Sequence, residues 1–243
     1  MRACVVSDIH GNLHALEAVL EAIDGEGPDA IWCLGDLVGY GPQPNSCCAL
    51  VRERADLCLV GNHDLAVLGQ LELAEFQPDA AKSARWTTSV LEPGHREFLK
   101  SLEPSAARDG VGLYHASPRD PVWEYVLSAE AAAGSLGAAD EPLVLVGHSH
   151  VALSFALEAE TLRGGLAPDS TELDLASADR WLINPGSVGQ PRDGDPRAAY
   201  LVLDLAARRA DFHRVAYPID RTQTEIREQG LPEALAARLE HGL

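Results

Sequence analysis

Five short apolar runs in this chain each stop on residues that a sheet interior does not hold. Ala3-Cys-Val-Val-Ser7, Ala30-Ile-Trp-Cys-Leu34, Asp56-Leu-Cys-Leu-Val60, Val111-Gly-Leu-Tyr114 and Leu143-Val-Leu-Val146 run into Asp8, Gly35-Asp36, Gly61-Asn62, His115 and Gly147-His148. Such runs read as buried strands. Helical patterns lie between them. From Asn12 to Ile23 the apolar residues Leu13, Leu16, Val19, Leu20 and Ile23 form a stripe of period 3.6. Pro44–Glu53, Asp79–Leu91, His95–Leu102 and Ser128–Ala138 are weaker helix patterns. Strands alternating with helices predict βαβ units, and open sheets of that kind collect their ligands at the carboxyl ends of the strands.

Beyond residue 150 the pattern changes to strands without long helices: Val151–Leu157, Trp181–Ile183, Ala199–Leu205 and Ala210–Tyr217. A second, more antiparallel sheet packed on the first is expected from this half. The stretch Leu162–Asp179, rich in Gly, Pro, Asp and Ser, reads as a surface excursion, and Glu233–Leu239 as a short closing helix. A length of 243 residues fits one α/β domain over 1–243.

Charge narrows the partners. Nineteen Lys and Arg against 37 Asp and Glu give a net charge of −18, which repels polymeric nucleic acid. The first apolar run is cut by Ser7-Asp8, so no secretory core follows the initial Met. No apolar stretch approaches the roughly 18 residues of a membrane span. Five cysteines (Cys4, Cys33, Cys47, Cys48, Cys58) form no C-x-x-C pair and read as reduced thiols, Cys4, Cys33 and Cys58 being small buried hydrophobes. A cytoplasmic protein without nucleic-acid or membrane partners is expected, with homo-oligomerisation left open.

The strand ends carry the chemistry. Asp8-Ile-His10, Gly35-Asp36, Gly61-Asn62-His63-Asp64, His115 and Gly147-His148-Ser-His150 place five of the nine histidines at predicted strand ends. Alternation along a strand sets Asp8 and His10 on one side, and likewise His148 and His150, so each pair is expected to hold a metal from one face. Imidazole mixed with carboxylate suits manganese, iron, zinc, cobalt or nickel rather than magnesium or calcium. His14, His95, His213 and His241 fall elsewhere and read as structural or solvated.

These five ordered motifs, spanning residues 8–150, resemble the calcineurin-like metallophosphoesterases. Gly35-Asp-Leu-Val-Gly-Tyr-Gly-Pro42, His115-Ala-Ser-Pro-Arg-Asp-Pro121 and Asn184-Pro-Gly-Ser-Val-Gly-Gln-Pro-Arg192 are similar to the bacterial and archaeal phosphodiesterase-like branch. The resemblance implies a four-layer α/β/β/α sandwich, two mixed sheets flanked by helices. It also implies two divalent transition-metal ions, manganese foremost. Asp8, His10 and His150 would hold one, Asn62, His115 and His148 the other, and Asp36 would bridge them. The implied reaction is hydrolysis of a small phosphodiester or nucleotide by a metal-bound hydroxide. A phosphomonoesterase and a diadenosine-polyphosphate hydrolase are the alternatives within enzymes, and a metal-binding protein-interaction scaffold is the alternative outside them. The scaffold is disfavoured because His63 and Asp36 are both present.

The same resemblance gives His63 the leaving group rather than a metal, with Asp64 setting its tautomer and keeping it protonated. Asp64 alternatively caps a helix that begins at Leu65. Asn12 either caps Ala15 or donates to phosphate, and Arg119 either grips phosphate or pairs with Asp120 or Glu124. Tyr40 and Trp123 are candidates for stacking on a base or aryl group, and Arg192 and Ser187 for lining the cleft, each set against ordinary loop packing. Protein serine/threonine phosphatases of this resemblance carry arginines where this chain has Val60 and Gly39-Tyr40, which puts that activity in doubt. There is neither a G-x-x-x-x-G-K-[ST] loop nor a G-x-S-x-G elbow.

Overall fold

A computed structural model describes residues 1–243. Its strands are β1 (Arg2–Val6), β2 (Ala30–Cys33), β3 (Leu57–Cys58), β4 (Ser105–Arg108), β5 (Val111–Tyr114), β6 (Leu143–Val146), β7 (Leu153–Glu158), β8 (Thr161–Leu166), β9 (Glu172–Asp174), β10 (Arg180–Asn184), β11 (Ala198–Asp204) and β12 (Arg209–Val215). The helices are α1 (Leu13–Glu26), α2 (Pro44–Arg54), α3 (Asn62–Val67), α4 (Pro78–Val90), α5 (Pro93–Lys100), α6 (Ala129–Ala138), α7 (Ile219–Glu228) and α8 (Glu233–Ala237). No helix is long and apolar enough to cross a membrane.

Two six-stranded mixed sheets form, in the orders β3-β2-β1-β11-β12-β9 and β4-β5-β6-β10-β7-β8. The expectation that residues after 150 build their own sheet is corrected: each sheet takes three strands from either half. In the first, β1 runs parallel to β2 (Val5 beside Trp32) and antiparallel to β11 (Val5 beside Leu201). In the second, β6 lies parallel to both β5 and β10, with Leu145 between Leu113 and Ile183. A local reading of strand character does not see these pairings, because each partner lies far along the chain.

Side-chain alternation explains the layering. Ala3 and Val5 of β1 face the apolar layer between the sheets together with Trp32, Leu113, Leu145 and Ile183, whereas Cys4 and Val6 face the α1 stripe of Leu16, Val19, Leu20 and Ile23. On the second sheet Val144, Val146 and Leu182 turn outward to Ala132 and Leu136 of α6. Helix, sheet, sheet and helix are thereby glued by three apolar layers, the four-layer sandwich.

Three local expectations are corrected. The stretch 162–179 is not a plain excursion, since β8 and β9 pair as edge strands with β7 and β12. Exposed side chains on these edges hid the strand signal. Helix α7 was not anticipated, although its buried face is carried by Thr222 and Ile226. The closing helix stops at Ala237 and tightens into a 3₁₀ turn over Arg238–His241.

Candidate metal centre

The loops after the strands continue to pair with each other. The Asp8 and His10 amides donate to the Gly35 and Asp36 carbonyls at 3.0 and 2.9 Å, and the Gly147 amide donates to the His115 carbonyl at 2.8 Å. Asp8, His10, Asp36, His148 and His150 all have φ between +51° and +62°. Left-handed backbone costs an L-residue about 1–2 kcal/mol, and five such residues in one site are strain held by the surrounding fold. The extended alternation expected for Asp8 and His10 and for His148 and His150 therefore does not operate. Turning backbone does the aiming, and it sends His148 and His150 to different clusters.

Asp8, His10, Asp36 and His150 bring one ligand atom each within 4.8 Å of one another, as do Asp36, His115 and His148. Asp36 belongs to both groups. Its Oδ1 accepts the His63 amide at 2.9 Å, while its buried Oδ2 has no hydrogen-bond partner. That oxygen lies 3.5 Å from His10 Nε2 and 3.6 Å from His115 Nε2. Gly61 permits this close approach, because a Cβ there would fall 2.6 Å from Asp36 Cγ.

The outer hydrogen bonds set the imidazole tautomers. His10, His115 and His150 direct Nδ1 at the carbonyls of Val38, Leu34 and Gln190, at 3.1, 2.9 and 2.7 Å. Each is a donor at Nδ1 and so presents a lone pair at Nε2. His148 is reversed, donating from Nε2 to the Trp123 carbonyl at 3.2 Å and presenting Nδ1. His10 Nε2 and His150 Nε2 consequently face each other as acceptors only 3.0 Å apart. His115 Nε2 likewise faces Asn62 Oδ1 at 3.3 Å. Converging lone pairs and an unpartnered carboxylate oxygen are the donor set of a cation site. Burial holds His10, His148 and His150 well below the usual imidazole pKa, which keeps their lone pairs free, and pushes Asp8 up to about 7, a cost of burying its charge that a cation beside it offsets.

His63 lies beside this set. Its ring packs on Tyr40 (centroids 4.4 Å), His10 (4.9 Å) and Phe76 (5.2 Å), and its Nδ1 is buried without a partner. Gly39, at φ +87°, makes room for the ring, since a Cβ there would meet His63 Nδ1 at 2.7 Å. Asp64 does not orient it. The Asp64 carboxylate accepts from the amides of Gly61 and Val38, both at 3.0 Å, as the third residue of α3 rather than its cap. Burial, then the charges of Arg192 and His115, lower the His63 pKa to about 3, opposite to the protonated state expected from Asp64. Removing the Asp64 carboxylate leaves two buried N–H groups unsatisfied at about 1–3 kcal/mol each. Asp64→Ala is expected to destabilise the fold by about 4 kcal/mol in denaturant unfolding, with a pH-rate profile that keeps its shape.

The two candidate phosphate contacts make the structural contacts that were their alternatives. Asn12 Oδ1 accepts from the Ala15 amide and the Thr222 hydroxyl, and its Nδ2 donates to the Gly189 carbonyl. The amide thereby serves as helix cap and loop tie. Arg119 forks onto Glu124, with Nε at 3.0 Å. Three aromatic or cationic residues adjoin the ligands instead. Tyr40 packs on His10, Tyr125 stacks on His148 at 4.1 Å, and the Arg192 guanidinium lies 5.6 Å over the Tyr40 ring. Tyr125 carries no sequence signal that separates it from any loop tyrosine. Ser187 does not line the cleft but donates to the Asp8 carbonyl at 2.7 Å, bracing the first ligand loop.

Buried imidazoles and carboxylates at the carboxyl ends of two packed mixed sheets define a metal-binding hydrolase site. The family model of the calcineurin-like phosphoesterase superfamily domain matches residues 1–208, and the chain belongs to that family. It is a phosphoric ester hydrolase with a buried Asp/His cluster able to bind metal ions. An uncharacterized protein of Methanocaldococcus jannaschii is 40% identical over 240 residues, covering 97% of this chain and 96% of its own. The crystal structure of a metallophosphoesterase from Sphaerobacter thermophilus superposes with a TM-score of 0.89 at 44% identity, covering 100% and 99% of the two chains. A symmetrical bis(5'-nucleosyl)-tetraphosphatase of Chromohalobacter salexigens is 31% identical over 142 residues, 55% of this chain and 50% of its own.

Proposed function

We propose that residues 1–243 act as one catalytic domain, a dinuclear phosphoesterase hydrolysing a small phosphodiester or nucleotide in the cytoplasm. The observation that carries the reading is Asp36, common to both clusters and with Oδ2 unpartnered between two imidazoles. Asp8, His10 and His150 would hold one ion, Asn62, His115 and His148 the other, and Asp36 both. Divalent ions so held supply positive charge for the phosphoryl oxygens and a lowered pKa for water. The chain's own groups do the rest. Asp36 Oδ1 fixes the start of α3 through the His63 amide, and His63 is the hydrogen-bond or proton donor available to a leaving oxygen. Similarity to the tetraphosphatase over half its length favours a nucleotide among the small esters.

Chelator-stripped protein is expected to lose turnover on bis-p-nitrophenyl phosphate and to regain it with manganese, taking up two ions per chain by elemental analysis. Imidazole donors predict that magnesium restores less. One ion per chain, or full activity in magnesium alone, would refute the dinuclear transition-metal reading.

A further inference from the structure

A cleft of about 480 Å³ opens beside the metal centre, with Tyr40, Tyr125, Arg192 and Arg238 in its walls. Tyr40 packs on His10 and His63 of one cluster and Tyr125 on His148 of the other, so the cleft adjoins both. Arg192 is tied to the ligand loop through its amide, which donates to the His150 carbonyl at 3.1 Å. Arg238 comes from the 3₁₀ turn after α8, more than forty residues away in sequence.

The two guanidiniums converge. Arg192 donates to Gln190 Oε1 at 2.8 Å and Arg238 donates to the same atom at 3.2 Å. Neither forms an ion pair, in contrast to Arg214, which is bound by Asp193. Asp79, the acidic side chain in the lining, is exposed and pairs with neither. The buried Arg192 Nε has no partner at all. Two permanent cations sharing one neutral acceptor repel each other, and burial together with the Arg192 charge pushes Arg238 below its usual pKa. An anion relieves both costs, and the planar fork of arginine matches phosphate.

Tyr40 links the pair to the clusters: the Arg192 guanidinium lies 5.6 Å over its ring and donates to its hydroxyl at 3.3 Å, while the ring packs on His10 at 4.7 Å. Standing on Tyr40 rather than on a cluster side chain, the Arg192 guanidinium is within reach of a phosphate linked to one held at the clusters. We propose that Arg192 and Arg238 form a subsite for a second phosphate of the substrate, so that the enzyme selects nucleotides carrying at least two linked phosphates over those carrying one. This inference rests on the phosphoesterase reading above and names its substrate class.

ADP and AMP, compared as competitive inhibitors of bis-p-nitrophenyl phosphate hydrolysis in saturating manganese, test it, and both are also titrated calorimetrically so that binding is read without turnover. Wild-type protein is expected to bind ADP about tenfold or more tightly than AMP, the scale of a charge-assisted contact. In Arg238→Gln the ratio should fall toward one, whereas Arg238→Lys should retain part of it. The glutamine variant also separates contact with the protein from metal chelation by ADP. A wild-type ratio near one overturns the proposal without needing any variant, and so does a ratio that survives in a folded Arg238→Gln. Absent turnover with the ADP preference intact would instead sink the hydrolase reading and leave the subsite standing.

Discussion

Asp36→Asn is expected to bind less than half the divalent metal of the wild type and to lose turnover by on the order of 10³-fold, the upper range for deleting one electrostatic stabiliser. The asparagine is isosteric, so the close approach of Gly61 is kept and its oxygen still accepts the His63 amide. What disappears is the negative charge and the oxygen between His10 and His115. Both groups of ligands share this one carboxylate, so occupancy should fall at both rather than at one. Elemental analysis, steady-state rates and circular dichroism on one preparation check the expectation. Retention of two ions with a native spectrum would show that Asp36 does not bridge.

Much of this site was legible because buried histidines and aspartates are chemically rare where they fall. Polar residues cutting five apolar runs mark strand ends, and the fold gathers Asp8, His10, Asp36, His115, His148 and His150 into two clusters, with Asn62 Oδ1 3.3 Å from His115 Nε2. Their aim was less legible. Strand alternation would put His148 and His150 on one metal, but left-handed backbone at both sends them to separate clusters. The carbonyls of Val38, Leu34, Gln190 and Trp123, which set the imidazole tautomers, are main-chain atoms and leave no residue-type signal.

Asn12, Arg119 and Asp64 each allowed a chemical and a structural role. Each has a residue type suited to phosphate or proton chemistry and stands close to a ligand in sequence. In the structure the structural partner is present for each: Asn12 caps the start of α1 and Arg119 pairs with Glu124, the alternatives open in the sequence, while Asp64 accepts from the amides of Gly61 and Val38. Sheet membership was hidden for another reason. Pattern tells that β11 is a strand, but its place between β1 and β12 is decided by packing on α1 and on the second sheet.

His63→Ala is expected to leave metal content and fold intact while lowering turnover by about 10²- to 10⁴-fold, the range for a positioned acid. The ring lies 4.9 Å from His10 by centroid yet belongs to neither group of clustered ligands. Its ring also packs on Tyr40 and Phe76, and its amide bond to Asp36 is main-chain and survives truncation. Burial keeps the imidazole neutral in the protein alone, and a phosphate anion beside it acts in the opposite direction by favouring the charged form. If the proton goes to the departing oxygen, the loss must depend on that oxygen's basicity. A nucleoside alkoxide needs the proton, whereas p-nitrophenolate leaves without one. The deficit of His63→Ala should therefore be near the top of the range for a dinucleotide ester and much smaller for bis-p-nitrophenyl phosphate, with metal measured on the same sample. Equal deficits on both esters would make His63 a positioning residue for the phosphoryl group, and a lost ion would move it into the ligand set.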